Sequence, residues 1–529
     1  MTATAVPPTD RPQFAIVGSG IAGVLIAYLL TAQGRRVEIF ERGPEYPYPH
    51  TPQFEDRFRH RYENPAYRLP FDLQGLTTSG TYRGDVDQER HMVIGGTATR
   101  WAGIALRLMP EDFRTKALYG FGDDWPIDYD DLEPYYSRAE ALLGVSGTDA
   151  DNPFAPRRSR PFPLPPFELS YEDRKFAARL AAAGIVLHTT PQAATRLAYG
   201  DRPGCQNFGA CDVCPIGVRY SPNYHLARAI ATGRCTIHRE TSVRRIVTGD
   251  GGRRATSLIY RANGGGGDRE SRAPVIILAG GAIENARLLL LSSRDRRADG
   301  VPINGVVGRR LTFHHLWSGS LRYAERMMPG RLGRWTGQSH QFLRPPARGR
   351  HGAVKVEFSA NIIPWSDDGA AGAHDGAEVL DRFAPLTLRR DVTLHSEAAP
   401  EMRRTVTLSS VRDRFGDPYA HVHYDLSAFD EATYAYAREL FDRFAKATGA
   451  ADGRLGGIET YYSGGHHMGT CRMGRDPRDS AVDSFGALHG CANLFAVGGS
   501  MFVGPASVNP TLTIAALAIR TADYLARAS

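Results

Sequence analysis

The chain has 529 residues, a formal net charge of +7, 42% hydrophobic residues and 23% charged residues. This composition is that of a globular protein of two or three domains, it excludes a disordered or collagen-like chain, and its small positive charge predicts no nucleic-acid site. Residues 1–13 lack the pattern of a secretory signal, no apolar run is long enough to span a bilayer, and the six cysteines do not suggest a secreted disulfide framework, so we predict a cytoplasmic protein without membrane contact.

The stretch from Phe14 to Glu41 predicts a nucleotide-binding unit. An apolar strand leads into the turn GSGIAG and an apolar helix, and a second strand, Val37–Phe40, ends at Glu41. Glycines in this turn permit a tight bend, close approach of a pyrophosphate and helix–strand packing. A carboxylate at position 41 accepts hydrogen bonds from ribose hydroxyls and repels a 2′-phosphate, which favours NAD or FAD over NADP. The predicted contacts in the turn are Gly18, Ser19, Gly20, Ile21, Ala22 and Gly23.

Two further stretches of small residues are predicted to complete the nucleotide site. Gly95-Gly96-Thr97, inside residues 91–108, is able to lie against a cofactor. Later in the chain, a buried strand at Pro274–Leu278 enters Ala279-Gly280 and then a helix, which repeats the strand, turn and helix of the opening. We therefore predict a nucleotide domain assembled from separated pieces of the chain.

The predicted fold class is α/β, with a Rossmann-like nucleotide domain built from discontinuous segments and a separate substrate domain. β-type runs between residues 311 and 424 indicate a mostly antiparallel sheet backed by helices. The strands Cys235–His238 and Val243–Val247 are predicted to pair with each other. The predicted segments are 1–155 for the first nucleotide part with a surface excursion or lid at 42–90, 156–204 for a linker and part of the substrate domain, 205–310 for the second nucleotide part, 311–461 for the substrate domain and 462–529 for the third nucleotide part.

Two stretches near the C-terminus contain the most chemistry. They are GGHHMGTCRMG at residues 464–474 and ASVNPTLTI at residues 506–514. Together with the opening turn, VIGGTATRW at 93–101 and LAGGAIENARLLLLS at 278–292, they resemble the glucose-methanol-choline (GMC) family of FAD-dependent oxidoreductases. The motifs follow the family's order along nearly the whole chain. The C-terminal ending looks most like that of pyranose oxidases and their bacterial sugar-oxidising relatives.

The resemblance implies a reaction and the residues that perform it. A base takes the hydroxyl proton of a substrate alcohol while the carbon-bound hydrogen leaves as hydride to flavin N5, and histidine suits that base because it titrates near neutrality. The family's catalytic histidine matches His466. The second catalytic position matches Asn509, whose amide is able to hydrogen-bond the substrate oxygen, although a helix cap before Pro510 is its simpler role. Neighbouring histidines are predicted to be structural: His467, His314 and His315.

The resemblance also implies FAD as the cofactor. Several pyranose oxidases attach it covalently through a histidine in a Thr-His-Trp sequence, whereas the matching positions are Thr99-Arg100-Trp101. Because arginine does not form that bond, we predict noncovalent FAD. Beyond the opening turn, the predicted cofactor-binding residues are Glu41, Arg42, Gly95, Gly96, Thr97, Arg100, Val243, Ala279, Gly280, Gly499, Asn509, Pro510 and Thr511.

Cys205, Cys211 and Cys214 form the most ambiguous motif, C-x5-C-x2-C-P. Some bacterial members of the family carry an iron–sulfur cluster close to this position, and zinc is an alternative if His225 supplies a fourth ligand. The spacing matches no strong metal signature. We therefore favour reduced structural thiols over a cluster and predict no metal site.

The sequence thus predicts an FAD-dependent enzyme that oxidises a secondary hydroxyl of a pyranose sugar or glycoside. The alternatives are oxidation of a primary alcohol of a sugar or aminoglycoside in a biosynthetic pathway, and a lyase-type member that keeps FAD without redox turnover. An NAD-dependent dehydrogenase is disfavoured because its nucleotide domain is usually compact, and a non-enzymatic scaffold leaves His466 and Asn509 unexplained. The expected partners are a small alcohol and O2 or another redox acceptor; the exact substrate, the acceptor and an oligomeric state are left open.

Overall fold

The computed structural model describes residues 11–45, 48–49, 75–81, 90–207, 214–293, 300–325, 335–359, 377 and 388–528. Within these ranges the strands are β1 Phe14–Val17, β2 Val37–Phe40, β3 Leu76–Gly80, β4 His188–Thr189, β5 Cys235–His238, β6 Thr241–Gly249, β7 Arg254–Ala262, β8 Arg269–Ser271, β9 Val275–Leu278, β10 Arg309–Thr312, β11 His315–Arg322, β12 Trp335–Ser339, β13 Val354–Ser359, β14 Arg389–Ser396, β15 Thr405–Arg412, β16 Pro418–Tyr424, β17 Asp452–Leu455, β18 Met468–Thr470, β19 Ala487–Leu488 and β20 Cys491–Ala496. The α-helices are α1 Ile21–Ala32, α2 Thr115–Tyr119, α3 Tyr129–Leu143, α4 Tyr171–Ala182, α5 Asn223–Ala231, α6 Gly281–Ser293, α7 Ala428–Thr448 and α8 Thr511–Ala528. Most of the predicted surface excursion at 42–90 lies outside the described residues.

The nucleotide half is built on a six-stranded sheet in the order β19, β20, β9, β1, β2, β5. Neighbouring strands are parallel, except that β19 is antiparallel to β20. The central β1 is apolar and almost wholly buried, as expected for a parallel strand covered on both faces. Because α1 packs on α8 and on α5, pieces from both ends and the middle of the chain form one unit. The predicted α/β fold with a discontinuous nucleotide domain is confirmed.

One predicted strand pair is wrong. β5 pairs in parallel with β2, whereas β6 pairs in antiparallel with β7. The chain leaves the first sheet at Glu240, whose φ of +47° marks a sharp turn. Short spacing along the sequence suggested a hairpin, but Cys235 is the register partner of Val37, which no local pattern reveals. Helix α6 begins at Gly281, directly after the predicted Ala279-Gly280 turn.

The substrate half contains the predicted antiparallel sheet. Its six strands follow the order β17, β11, β14, β13, β12, β4, and every neighbouring pair is antiparallel. Helix α7 packs against β14, β17 and α4, so helices back this sheet as predicted. β4, from the segment 156–204, forms its edge.

A second, five-stranded sheet connects the C-terminal motif to the substrate half. Its order is β18, β10, β15, β16, β3, and β18, which lies inside the motif, is antiparallel to β10. β10 leads within three residues into β11 of the substrate sheet. The loops beside β10 and β18 are therefore held where the two halves meet. None of the helices in the described ranges is long and apolar enough to cross a membrane.

Candidate active site

A cavity lies at the carboxyl ends of β1 and β2, beside the N-terminus of α1. Its wall includes Glu41 and Arg42 as well as Gly465 and His467, so it joins the predicted nucleotide turn to the segment that contains His466. The predicted cofactor residues in this wall are Gly18, Gly20, Ile21, Ala22, Glu41, Arg42, Gly96, Thr97, Val243, Ala279, Gly280 and Gly499. The predicted cofactor residues that do not contribute to this wall are Ser19, Gly23, Gly95, Arg100, Asn509, Pro510 and Thr511.

Glu41 is held rigidly at the end of β2. Its carboxylate accepts hydrogen bonds from Ser19 N at 2.9 Å, Ser19 Oγ at 2.7 Å and Gly43 N at 2.8 Å. Burial raises the pKa of Glu41, and these hydrogen bonds act in the opposite direction. Ser19 Oγ also accepts a hydrogen bond from Gly95 N at 3.1 Å. Ser19 and Gly95 thus fix the position of the acidic group that is predicted to bind a ribose, without lining the cavity themselves.

The three glycines of the opening turn have different physical roles. Gly18 has φ +103°, and a Cβ there would lie 2.8 Å from Ala279 O. A Cβ at Gly23 would lie 2.2 Å from Gly18 O, so this glycine brings the helix onto the strand. At Gly20, by contrast, a Cβ would meet nothing within 4 Å. Gly20 is also the N-cap of α1 and makes no side-chain cap, so the helix N-terminus is open to an anionic group in the cavity.

A cluster of three arginines and two carboxylates stands at the same cavity. Arg42, Arg90 and Arg287 all line it. Glu284 lies 3.0 Å from Arg90 and 3.7 Å from Arg42, while Asp413 lies 3.5 Å from Arg42 and 3.4 Å from Arg287. Burial raises the pKa of Glu284, but the arginines outweigh burial and lower it to about 2. The excess of positive charge suits a pyrophosphate. Only Arg42 was predicted from the sequence.

His466 is positioned by the pairing of β18 with β10. Met468 is the register partner of Thr312, which brings the loop before β18 against His314, the second residue after β10. His314 is fully buried, whereas His466 is partly exposed. Asn509 Nδ2 lies 3.5 Å from His466 Nε2, so the structure brings the predicted catalytic pair together. Asn509 itself precedes the N-terminus of α8.

The contacts of His314 determine which nitrogen of His466 carries a proton. His314 Nε2 lies 3.0 Å from the carbonyl oxygen of Pro505, so Nε2–H donates and Nδ1 remains an acceptor. His314 Nδ1 lies 2.9 Å from His466 Nδ1, which must therefore be the donor. Burial lowers the pKa of His314 to about 3. Burial, followed by His314, His395 and Lys355, lowers the pKa of His466 well below 6.5. His466 is thus neutral at pH 7, with an unprotonated Nε2.

Three polar residues of the substrate sheet stand behind this pair. Lys355 Nζ donates to Asn509 Oδ1 at 2.5 Å and to Glu357 Oε1. Glu357 Oε2 lies 2.8 Å from His395 Nε2. Lys355 and His395 are register partners on β13 and β14, and all three side chains are buried. Sequence reasoning missed this group, because the polar residues of VKVEFS alternate with apolar ones, which is the usual pattern of a strand with one solvated face.

Three histidines converge at this point. His314, His395 and His466 offer nitrogen atoms that all lie within 4.8 Å of one another, a grouping able to hold a metal ion. The ammonium of Lys355 next to them opposes a cation, because like charges repel. The prediction of no metal site therefore stays a prediction.

The other histidines of the motifs have separate contacts. His315 Nε2 lies 3.0 Å from Tyr424 Oη, and His315 is fully buried, as a structural histidine would be. His467 Nε2 lies 3.1 Å from Ser463 Oγ, and burial lowers the pKa of His467 to about 3. His467 also lines the cavity. His314, which was predicted to be structural, is in direct contact with His466.

The Thr99-Arg100-Trp101 sequence closes a tight turn beside the cavity. The turn spans Gly96–Thr99 and is 3-10 helical. Arg219 Nη2 donates to Thr99 O at 2.6 Å, and Trp101 Nε1 donates to Tyr220 O at 2.8 Å. These bonds hold the turn that contributes Gly96 and Thr97 to the cavity wall.

The cysteine motif is described only in part. Cys205 and Cys214 are free and partly buried, and Cys211 lies outside the described residues. His225, the suggested fourth zinc ligand, is 2.9 Å from Tyr220 Oη through its Nδ1. Burial lowers the pKa of His225 to about 3. The interpretation as structural thiols stays a prediction.

Comparison with known proteins identifies the family. The profile of GMC oxidoreductases matches residues 123–316 and again residues 400–518, and that of an NAD(P)-binding Rossmann-like domain matches residues 16–69. The chain belongs to the GMC oxidoreductase family. It is therefore an oxidoreductase that acts on CH–OH groups with FAD as cofactor, as the resemblance of its motifs implied.

Similar proteins cover almost the whole chain. The fructose dehydrogenase large subunit of Gluconobacter japonicus is 28% identical over 96% of this chain and 97% of its own length. The paromamine 6′-oxidase of Streptomyces fradiae is 27% identical over 97% of this chain and 90% of its own length. Among solved structures, a pyridoxine 4-oxidase from "Mesorbium loti" superposes with a TM-score of 0.65 at 19% identity, covering 97% of this chain and 99% of that one, and so shares the fold.

The residues of the cavity fit FAD. Glu41 is oriented to accept hydrogen bonds from a ribose, and the open N-terminus of α1 with the neighbouring arginines would hold the pyrophosphate. Gly499 and His467 would lie toward the flavin, since they come from the segments beside His466 and Asn509.

Proposed function

We propose that this GMC oxidoreductase oxidises a secondary hydroxyl group of a pyranose sugar or glycoside. The observation that carries the oxidation of an alcohol is the neutral His466, whose Nε2 is unprotonated and lies next to the amide of Asn509. The choice of a secondary hydroxyl rests on the resemblance of the C-terminal ending to that of pyranose oxidases. His466 is partly exposed and lies beside the cavity that fits FAD. Its unprotonated imidazole nitrogen is therefore suited to act as the general base for an alcohol. His466 and Asn509 are the catalytic residues of the proposal.

The hydrogen bonds of the site indicate which atom receives the hydroxyl proton of the substrate and which group stabilises the negative charge on its oxygen. His466 Nε2 accepts the hydroxyl proton of the substrate, and the imidazolium that forms keeps its Nδ1–H bond to His314. Asn509 Nδ2 donates to the substrate oxygen as negative charge develops on it. Bound FAD would supply the two-electron acceptor, flavin N5, for the hydride that leaves the hydroxyl-bearing carbon, and O2 or another redox acceptor would reoxidise it.

A second candidate is oxidation of a primary alcohol of a sugar or aminoglycoside. Its support is the similarity to paromamine 6′-oxidase, which is nearly as high as the similarity to fructose dehydrogenase. Both relatives carry names of carbohydrate substrates, so a hydroxylated ring is the substrate class common to the two candidates. The His466 and Asn509 geometry serves either alcohol, because it acts on the hydroxyl group and the hydrogen of its carbon.

A substrate panel under anaerobic conditions tests the proposal. The holoenzyme is mixed with pyranoses, alkyl and aryl glycosides, aminoglycosides and simple primary alcohols, and flavin absorbance is followed. Bleaching by pyranoses or glycosides, with a ketone as the product, is the expected result. An aldehyde product would support the second candidate, and an unbleached flavin with every alcohol would contradict both. Admitting air afterwards distinguishes an oxidase, which recovers its colour, from a dehydrogenase.

A further inference from the structure

A buried ion pair contacts the side-chain oxygen of Asn509. Lys355 and Glu357 are two residues apart on β13, so their side chains share one face of the strand. Both side chains are almost fully buried. An interior ion pair loses the hydration of both charges, and well-packed apolar residues often stabilise a fold equally well. Stability alone therefore does not explain why strand β13 has this pair.

The contact between Lys355 and Asn509 distinguishes the two ends of the amide. An ammonium group has only donors, so the atom that it contacts at 2.5 Å must be the acceptor Oδ1. The other end, Nδ2, is then turned toward His466 Nε2 at 3.5 Å. A flipped amide would place an oxygen against the unprotonated nitrogen of His466 and against the oxygen of a bound alcohol. Both contacts would be repulsive.

The ammonium is itself fixed by a further chain of hydrogen bonds. Glu357 accepts from Lys355 through Oε1 and from His395 through Oε2, which lies 2.8 Å from His395 Nε2. Burial raises the pKa of Glu357, but His395 and Lys355 outweigh burial and lower it to about 2, so the carboxylate is ionised at pH 7. Cross-strand register aligns Lys355 with His395. The orientation of the Asn509 amide is therefore set from the substrate sheet.

We propose that Lys355 is a positioning residue that fixes the amide of Asn509 with its N–H groups toward His466 Nε2 and the substrate oxygen. This inference rests on the proposed roles of His466 and Asn509. Glu357 and His395 hold Lys355 in place. The substrate sheet thus takes part in the reaction by orienting the amide that acts on the substrate oxygen.

The test removes the ion pair as a unit, in two backgrounds. Lys355→Met alone would leave the Glu357 carboxylate uncompensated, so the variant is the neutral double substitution Lys355→Met/Glu357→Gln. It is made with Asn509 present and again with Asn509→Ala. The rate of anaerobic flavin reduction by the best substrate of the panel is measured for all four proteins. FAD content and melting temperature report on the fold.

With Asn509 present, we expect flavin reduction to slow by about 10- to 100-fold, because the donor is no longer held in place. With Asn509→Ala, the same double substitution is expected to change the rate by less than about twofold, since it acts through a group that is absent. Equal losses in both backgrounds, or no loss in either, would overturn the inference and leave the proposed function standing. If no alcohol reduces the flavin of the wild-type protein, the proposed function itself is wrong.

A second double variant tests the same inference if the first one does not fold. If Lys355→Met/Glu357→Gln does not retain FAD, Lys355→Gln/Glu357→Gln replaces the ion pair by two neutral amides that are able to bond each other. The glutamine side chain is one bond shorter than lysine and withdraws from Asn509. The same dependence on Asn509 is expected, and its absence would overturn the inference.

Discussion

The Nδ1 atoms of His314 and His466 lie 2.9 Å apart, and the Nε2 of His314 is committed to the carbonyl oxygen of Pro505. Two imidazole nitrogens at hydrogen-bond distance need one proton between them. The backbone of the loop before α8 therefore selects the tautomer of a histidine from the loop before β18. The nitrogen left without a proton, His466 Nε2, is the one beside Asn509.

Replacing His314 tests this selection. His314→Leu removes the acceptor for His466 Nδ1–H, so the proton is free to occupy Nε2 and block the base. We expect anaerobic flavin reduction to slow by about 10- to 100-fold or more. His314→Gln is the matched variant, because its side-chain oxygen is again able to accept from Nδ1, and it should lose less. Equal rates for the leucine and glutamine variants would contradict the role of the acceptor.

Glu41 is predicted to determine FAD affinity and not the chemical step. Glu41→Ala removes the carboxylate that Ser19 and Gly43 hold in place, and with it the acceptor for the ribose hydroxyls. Loss of hydrogen bonds to a charged acceptor should raise the Kd of FAD by about 10-fold or more. Titration of the apoprotein with FAD measures it, with the exposed Glu45→Ala as control. An unchanged Kd would show that the ribose is bound elsewhere.

FAD is predicted to be held without a covalent bond. Position 100 is arginine where several pyranose oxidases have the histidine that bonds the flavin. Precipitating the holoenzyme with acid should release all of the flavin into the supernatant. A yellow pellet would contradict the prediction and call for a search for another attachment residue.

The buried neutral histidines predict that stability falls on the acid side of neutrality. Burial lowers the pKa of His225, His314 and His467 to about 3 and that of His315 to about 4. Each would bind a proton near pH 6.5 when unfolded, so the unfolded state gains protons first as the pH falls. Their contribution is complete above about pH 6.5 and is lost as the pH falls toward these folded-state values. The melting temperature should therefore be lower at about pH 5 than at pH 7.5; an equal or higher value would contradict this account.

The nucleotide half was predictable because its signals are local. The strand, glycine turn and helix at Phe14–Ala32 follow each other directly, and Gly18 and Gly23 each have a steric reason that matches their place in the motif. Glu41 was predictable for the same reason. The pairing of β5 with β2 was not, because Cys235 and Val37 meet only in the folded sheet.

The group of Lys355, Glu357 and His395 was not predictable, because polar and apolar residues alternate along strand β13. In β13, VKVEFS, the polar residues Lys355 and Glu357 alternate with apolar ones, which is the usual pattern of a strand with one solvated face. In the folded protein that face is buried against Asn509. The partnership of His314 with His466 likewise depends on the pairing of β10 with β18, which sequence spacing does not show.

The most direct test concerns the base itself. The rate of anaerobic flavin reduction is compared for the wild type, His466→Ala and the control variant His423→Ala, whose side chain is half-exposed beside Asp425, each loaded with FAD. We expect a fall of about 10²-fold or more for His466→Ala with FAD still bound, and the wild-type rate for His423→Ala. Flavin reduction by His466→Ala at the wild-type rate would contradict the claim that His466 Nε2 removes the hydroxyl proton.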